Sequence, residues 1–130
     1  MPANFIPTAE RFGLMTTLDR WVIETAFSSY HKIFGQDSPV HIAINLSGHS
    51  LNDDSLYNFI VTQFKQHFID ASLICFEITE TAAIENLEQA KTLITQLKAL
   101  GSKFALDDFG SGLSSFAYLK HLPIDYLKID

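Results

Sequence analysis

The chain has little of what would make a protein disulfide-stapled, fibrous, disordered or membrane-spanning. Its single cysteine, Cys75, excludes a disulfide within the chain. Cys75 lies in the apolar run LICFEI and reads as a small buried hydrophobe, which fits a reducing compartment. Six glycines and four prolines are too few and too scattered to form a linker, and no low-complexity segment or close repeat is present. Basic charge is scarce: nine Lys and Arg against fifteen Asp and Glu give a net charge of −6. That excludes a broad basic face for DNA, but leaves room for a small anionic ligand held through a divalent cation. No apolar run reaches the roughly 18 residues that a membrane span needs. The opening MPANFIPTAERFG lacks the basic start and apolar core of a secretory signal. The chain therefore reads as cytoplasmic, either by itself or as the cytoplasmic domain of a larger, membrane-anchored protein. What is present is apolar: 47% hydrophobic and 18% charged residues over 130 positions suit one packed domain.

The pattern along the chain alternates. Residues 15–34 carry Leu18, Val22, Ile23, Ala26, Phe27 and Tyr30 at helical spacing. Trp21 is expected to join that apolar face in the core. VHIAINL (40–46) reads as a strand. Residues 52–68 read as a helix with Asp53 or Asp54 at its N-cap. LICFEIT (73–79) is a second strand, and 85–100 a helix stopped by Gly101. KFALDDF (103–109) is a third strand, 114–122 a short helix ended by Pro123, and DYLKID (125–130) a fourth strand. Short apolar strands separated by helices predict an α/β fold with a parallel sheet. Both an open doubly wound sheet and part of a (β/α)8 barrel fit, and about 250 residues are typical of a complete barrel. A helix at the start with no strand before it, and a strand at the end with no helix after it, lead to the expectation of an incomplete domain.

Parallel α/β folds bind ligands at the carboxyl ends of their strands. Each expected strand brings a polar group there: Asn45; Glu77 with Glu80; Asp107 and Asp108; Lys128 and Asp130. A carboxylate such as Glu77 inside an apolar strand is costly without a partner. Adjacent Asp107 and Asp108 also call for nearby positive charge. Lys128 supplies one source and a divalent cation another. Oxygen donors without Cys or His suit Mg²⁺ or Mn²⁺ rather than zinc, and the inventory is that of metal-assisted phosphate hydrolysis. The five histidines lack paired metal-ligand spacing. The GSG of DDFGSGLSS lacks a P-loop lysine and reads as a sharp turn beside the aspartates.

Four segments, AINLS (43–47), FEITET (76–81), ALDDFGSGLSSFAYLKHLP (105–123) and DYLKID (125–130), together resemble the EAL domain. That family comprises bacterial cyclic-di-GMP-specific phosphodiesterases. The resemblance implies a (β/α)8, TIM-like barrel that hydrolyses cyclic di-GMP to linear pGpG with two Mg²⁺ or Mn²⁺ ions. It implies Asn45 and Glu77 on one metal, Asp107 bridging both, Asp108 completing the second site, and Lys128 on the attacking water or a phosphate oxygen. Lys128 and Asp108 thereby take catalytic roles. Glu80 would brace the loop from Phe109 and Gly110 to Ser115, which in the family links the site to a dimer interface, so a homodimer or other self-association is expected. Asp130 follows the pattern without a defined role. The family's Glu-Ala-Leu strand, with its metal-binding glutamate, has no counterpart here, nor do the strands expected after Asp130. Residues 1–130 are therefore expected to be a partial EAL domain, about half the barrel, with little activity when isolated. The alternative is an inactive EAL-like receptor for cyclic di-GMP, or a protein-interaction module.

Overall fold

A computed structural model describes residues 8–110 and 120–129, with side chains from residue 13 onward. The expected helix at 114–122 falls mostly outside these residues, as do Asp130 and the GSG turn beyond Gly110. Helix α1 (Thr8–Phe34) buries Ile23, Phe27 and Tyr30 completely or almost so. The Tyr30 hydroxyl donates to the Val40 carbonyl and ties the end of α1 to the approach of the first strand. The expectation for Trp21 is corrected: it is 60% exposed, and Leu18 is exposed as well. At 3.6 residues per turn, Trp21 lies roughly 160° and Leu18 roughly 140° around the helix from Ile23, on the side facing away from the core. The expected apolar face is drawn too wide, whereas the buried stripe runs through Ile23, Phe27 and Tyr30.

Strand β1 (Ile42–Asn45) is followed by the short helix α2 (Gly48–Leu51) and by α3 (Leu56–Gln66). The expected cap at Asp53 or Asp54 is not formed; Ser55 occupies the N-cap position without a side-chain bond. Asp53 instead accepts from the Ser55 N–H and hydroxyl and pairs with Arg20 at 2.7 Å, closing the turn before the helix. A single 3₁₀ turn (Ala71–Leu73), capped by Asp70, leads into β2 (Ile74–Thr79). Helix α4 (Glu80–Glu85) follows at once, capped by the Thr79 hydroxyl, and Asn86 separates it from α5 (Leu87–Ala99). Neither α2 nor α4 is long enough to show a helical period in sequence, and α2 takes in His49, which reads as a loop residue. Gly101 ends α5 as expected, at φ +111°. Its N–H reaches the Lys98 carbonyl and the Ser102 N–H reaches Leu97, a Schellman closure that satisfies two terminal carbonyls. Strands β3 (Lys103–Phe109) and β4 (Tyr126–Ile129) complete the elements described.

The four strands are all parallel and lie in sequence order, β1-β2-β3-β4. This order decides between the two architectures. A right-handed crossover repeated in one direction returns every helix to the same face of the sheet, whereas a doubly wound sheet must reverse its order. The arrangement is that of consecutive strands in a βα barrel. One face of the sheet is apolar. Ile44, Phe76, Ile78, Phe104 and Leu106 form a core with Ile23, Phe27, Ile60, Leu93, Ile94 and Leu97 from the helices. Phe76 and Phe104 meet at a centroid distance of 5.5 Å, and Phe27 stacks on Phe64 at 5.2 Å.

Candidate functional site

The opposite face of the sheet carries the polar residues. Register sets Asn45 beside Glu77, Glu77 beside Ala105 and Thr79 beside Asp107. Ala105 pairs with Tyr126, so by two-residue alternation Lys128 lies on this face too. Asn45, Glu77, Asp107 and Lys128 thus share one surface near the carboxyl ends of four neighbouring strands. Glu77 is buried, and its Oε2 accepts from Lys128 Nζ at 2.6 Å, across β3. Ala105 lies on the intervening strand, and its small side chain leaves room for that reach. The hydrogen bond to Glu77 and then the Glu77 charge raise the Lys128 pKa; slight burial opposes them, and Asp107 adds further support for the cation. The ammonium anticipated from sequence is therefore paired with the buried strand carboxylate.

Asp107 accepts the Asp108 N–H on its own carboxylate at 2.9 Å. Asp108 has φ +54°, a left-handed conformation that aspartate tolerates better than most residues. The irregular β3–β4 register between Leu106 and Phe109 falls at the same point. There the backbone leaves regular strand geometry, and Asp108 is exposed while Phe109 returns to the core. Gly110 follows at φ +90°, and its N–H donates to Glu80 Oε1 at 2.9 Å. Glu80 is itself buried in the first turn of α4. Cys75 shares the Glu77 face, where burial and then the neighbouring Glu77 charge raise the thiol's pKa and keep it protonated.

Asn45, Glu77 and Asp107 offer only oxygen, a donor chemistry that fits a hard divalent cation. Among the described residues, no three His, Cys, Asp or Glu side chains gather into a metal-holding cluster. The donor set is thus partial, with Glu77 already engaged by Lys128.

Two residues escaped the sequence reading. Asp19, within α1, is more than nine-tenths buried and accepts from the Ser47 N–H at 2.7 Å and the Ser50 hydroxyl at 2.6 Å. Arg20, its neighbour, binds Asp53 and the Ser55 hydroxyl and lies over the Phe59 ring, 4.6 Å from its centroid. A signal for Asp19 was available: it sits one helical turn before Ile23, a carboxylate on the apolar stripe.

A single-wound parallel sheet with acidic and amide side chains at its strand ends defines the class: a TIM-like βα-barrel domain with its polar rim at the carboxyl ends of the strands. The model of the EAL domain matches residues 1–130, and the chain belongs to that family. It is 47% identical over 131 residues to the cyclic di-GMP phosphodiesterase PdeB of Shewanella oneidensis, covering 99% of this chain and 15% of that protein. It is 40% identical over 122 residues to the cyclic di-GMP phosphodiesterase PdeA of Borreliella burgdorferi, covering 93% of this chain and 18% of that one. Among solved structures, it resembles the phosphodiesterase PaMucR in a c-di-GMP complex, with TM-score 0.83 and 33% identity over 100% of this chain and 56% of the other. It also resembles the Xanthomonas citri FimX EAL domain in complex with c-diGMP, with TM-score 0.84 and 26% identity over 99% of this chain and 51% of the other. The chain therefore spans about half of these solved chains and a small part of the curated relatives.

Proposed function

We propose that this chain supplies four consecutive strands of a phosphodiesterase barrel that hydrolyses cyclic di-GMP to linear pGpG in bacterial second-messenger signalling, on the cytoplasmic side. The observation that carries the reading is the shared face of Asn45, Glu77, Asp107 and Lys128 at the strand ends, with Lys128 Nζ 2.6 Å from Glu77. Asn45, Glu77, Asp107 and Asp108 would hold Mg²⁺ or Mn²⁺. When bound, such ions polarise phosphate oxygens and lower the pKa of water.

The chain's own residues prepare that chemistry. Lys128 would hold a positive charge beside a phosphate oxygen or the attacking water, and its pairing with Glu77 holds the ammonium in place. The Glu80 bond to Gly110 fixes the backbone just after Asp107 and Asp108. The remaining carboxylates of a complete site would come from further strands of the barrel.

The test measures cyclic di-GMP hydrolysis with Mg²⁺ or Mn²⁺, followed by chromatography for pGpG. A complete barrel containing this chain is expected to produce pGpG and to lose at least ~100-fold in rate on Glu77→Ala, within the range by which catalytic groups act. The 130-residue chain by itself is expected to show little turnover. Binding of cyclic di-GMP by the complete barrel without pGpG would replace the enzyme with a receptor. Helices of the described residues include none long and apolar enough to cross a membrane.

A further inference from the structure

Asp19 presents a feature that the proposed chemistry does not use: a buried carboxylate on a helix, bonded to the loop that leaves β1. The chain at this point is held on two sides. The Leu46 N–H donates to the Glu77 carbonyl at 2.8 Å, continuing the β1–β2 ladder one step past the strand. The next N–H, that of Ser47, donates to Asp19 Oδ2. Ser47 then caps α2, its hydroxyl accepting from the Ser50 N–H, while the Ser50 hydroxyl returns to the same Asp19 oxygen. Leu46 and Ser50 are buried within this arrangement. Asn45, immediately before it, is exposed on the polar face beside Glu77.

We infer that Asp19 is a positioning residue: it fixes the end of β1 so that the Asn45 amide stands in register with Glu77 for a divalent cation. The inference rests on the metal-binding reading of Asn45 and Glu77 given above. Asp19 touches neither residue and acts only through Ser47 and Ser50. Because a single oxygen, Oδ2, accepts both bonds, an amide oxygen in its place would serve as well. The requirement is for an acceptor at that point, not for a charge.

This gives the test its discriminating variant. In a complete barrel containing this chain, the wild type, Asp19→Ala, Asp19→Asn, Asn45→Ala and Asp70→Ala are compared by amide hydrogen exchange without metal and by Mn²⁺ titration followed by electron paramagnetic resonance. Asp70 is the control, since it accepts from the N–H and hydroxyl of Ser72 ahead of the opposite end of β2. In Asp19→Ala, exchange at the Ser47 amide should quicken at least tenfold and the Mn²⁺ dissociation constant should rise five- to tenfold. Asp19→Asn should keep both within about twofold of wild type, and Asp70→Ala should leave Mn²⁺ binding unchanged. Unchanged Ser47 exchange in Asp19→Ala overturns the inference without reference to metal. Faster exchange with unchanged Mn²⁺ affinity, while Asn45→Ala weakens it, also overturns it, because the loop would then be held for another reason. Absence of Mn²⁺ binding by the wild type, or no effect of Asn45→Ala, overturns the metal reading and the inference with it. The exchange data distinguish that failure from the others.

Discussion

Ala105 lies between the strands that carry Glu77 and Lys128, and its methyl leaves these side chains room to meet. It is fully buried, so Ala105→Leu overpacks the site. The variant is expected to lose about 1–3 kcal/mol in urea denaturation, and to separate the ion pair, seen as a shift of the Lys128 ammonium signal in nitrogen-15 NMR. Asp125 offers a pH-dependent counterpart. Its Oδ1 accepts from Lys98 at 2.8 Å and its Oδ2 from the Phe104 N–H at 2.8 Å, joining α5, β3 and the approach to β4. Burial pushes its pKa up, but the bonds from Lys98 and Phe104 outweigh it and hold the carboxyl below its ordinary value. A depressed carboxylate pKa stabilises the fold fully above the unfolded value of about 3.9, and that contribution is lost as pH falls through the folded value. Asp125→Ala should cost about 1.5–3 kcal/mol at pH 7, as expected for charge-assisted bonds. It should also flatten the acid limb of a stability–pH curve measured by urea denaturation. An unaltered acid limb would show that Asp125 titrates alike in folded and unfolded chains.

At the scale of elements, the termination of α5 is the most local feature and the most readily tested. A Cβ at Gly101 would meet only ordinary contacts with Ser72, at 3.7 Å or more, so the obstacle to a side chain is the φ of +111°. Gly101→Ala is expected to destabilise the chain by about 1–2 kcal/mol, measured by thermal or urea unfolding, without moving neighbouring side chains. The glycine was legible in sequence because it follows a long periodic segment. The strands were legible for a similar reason: β-branched and aromatic runs such as ICFEIT have no helical period, and the helices between them implied a parallel sheet. The ends of elements were not. Asp53 has the chemistry of an N-cap, yet Arg20 and Ser55 engage it in the preceding turn, and only tertiary proximity distinguishes these uses. Most polar rim residues were visible because strand ends are predictable positions. Asp19 went unread: its place on the apolar stripe marks it as a buried carboxylate, but not which backbone it will reach.

For the molecule as a whole, the open edges dominate behaviour. All four residues of β4 are exposed, including Tyr126, Leu127 and Ile129. Among the described residues β4 lies at the edge of the sheet beside β3, and an apolar edge strand invites pairing with another chain. The 130-residue chain is therefore expected to self-associate with rising concentration in sedimentation velocity, and Ile129→Lys should shift it toward monomer with little change in thermal stability. Interior packing sets the other limit. Phe104 is fully buried against Phe76, and Phe104→Ala should cost about 3–5 kcal/mol by chemical denaturation, a large share of the stability of a domain this size.

Strand order has a kinetic meaning as well. Asn45 pairs with Glu77, Glu77 with Ala105 and Ala105 with Tyr126, so among the described residues each strand pairs with its neighbours in sequence. No strand pairing has to wait for the two ends of the chain to find each other, and loop-closure entropy is met in short instalments. Cooperativity passes from neighbour to neighbour, much as it does along a repeat array. Opening would then start at the outer strands and run inward, leaving β2 and β3, the pair that holds Glu77 and Asp107, as the last to come apart.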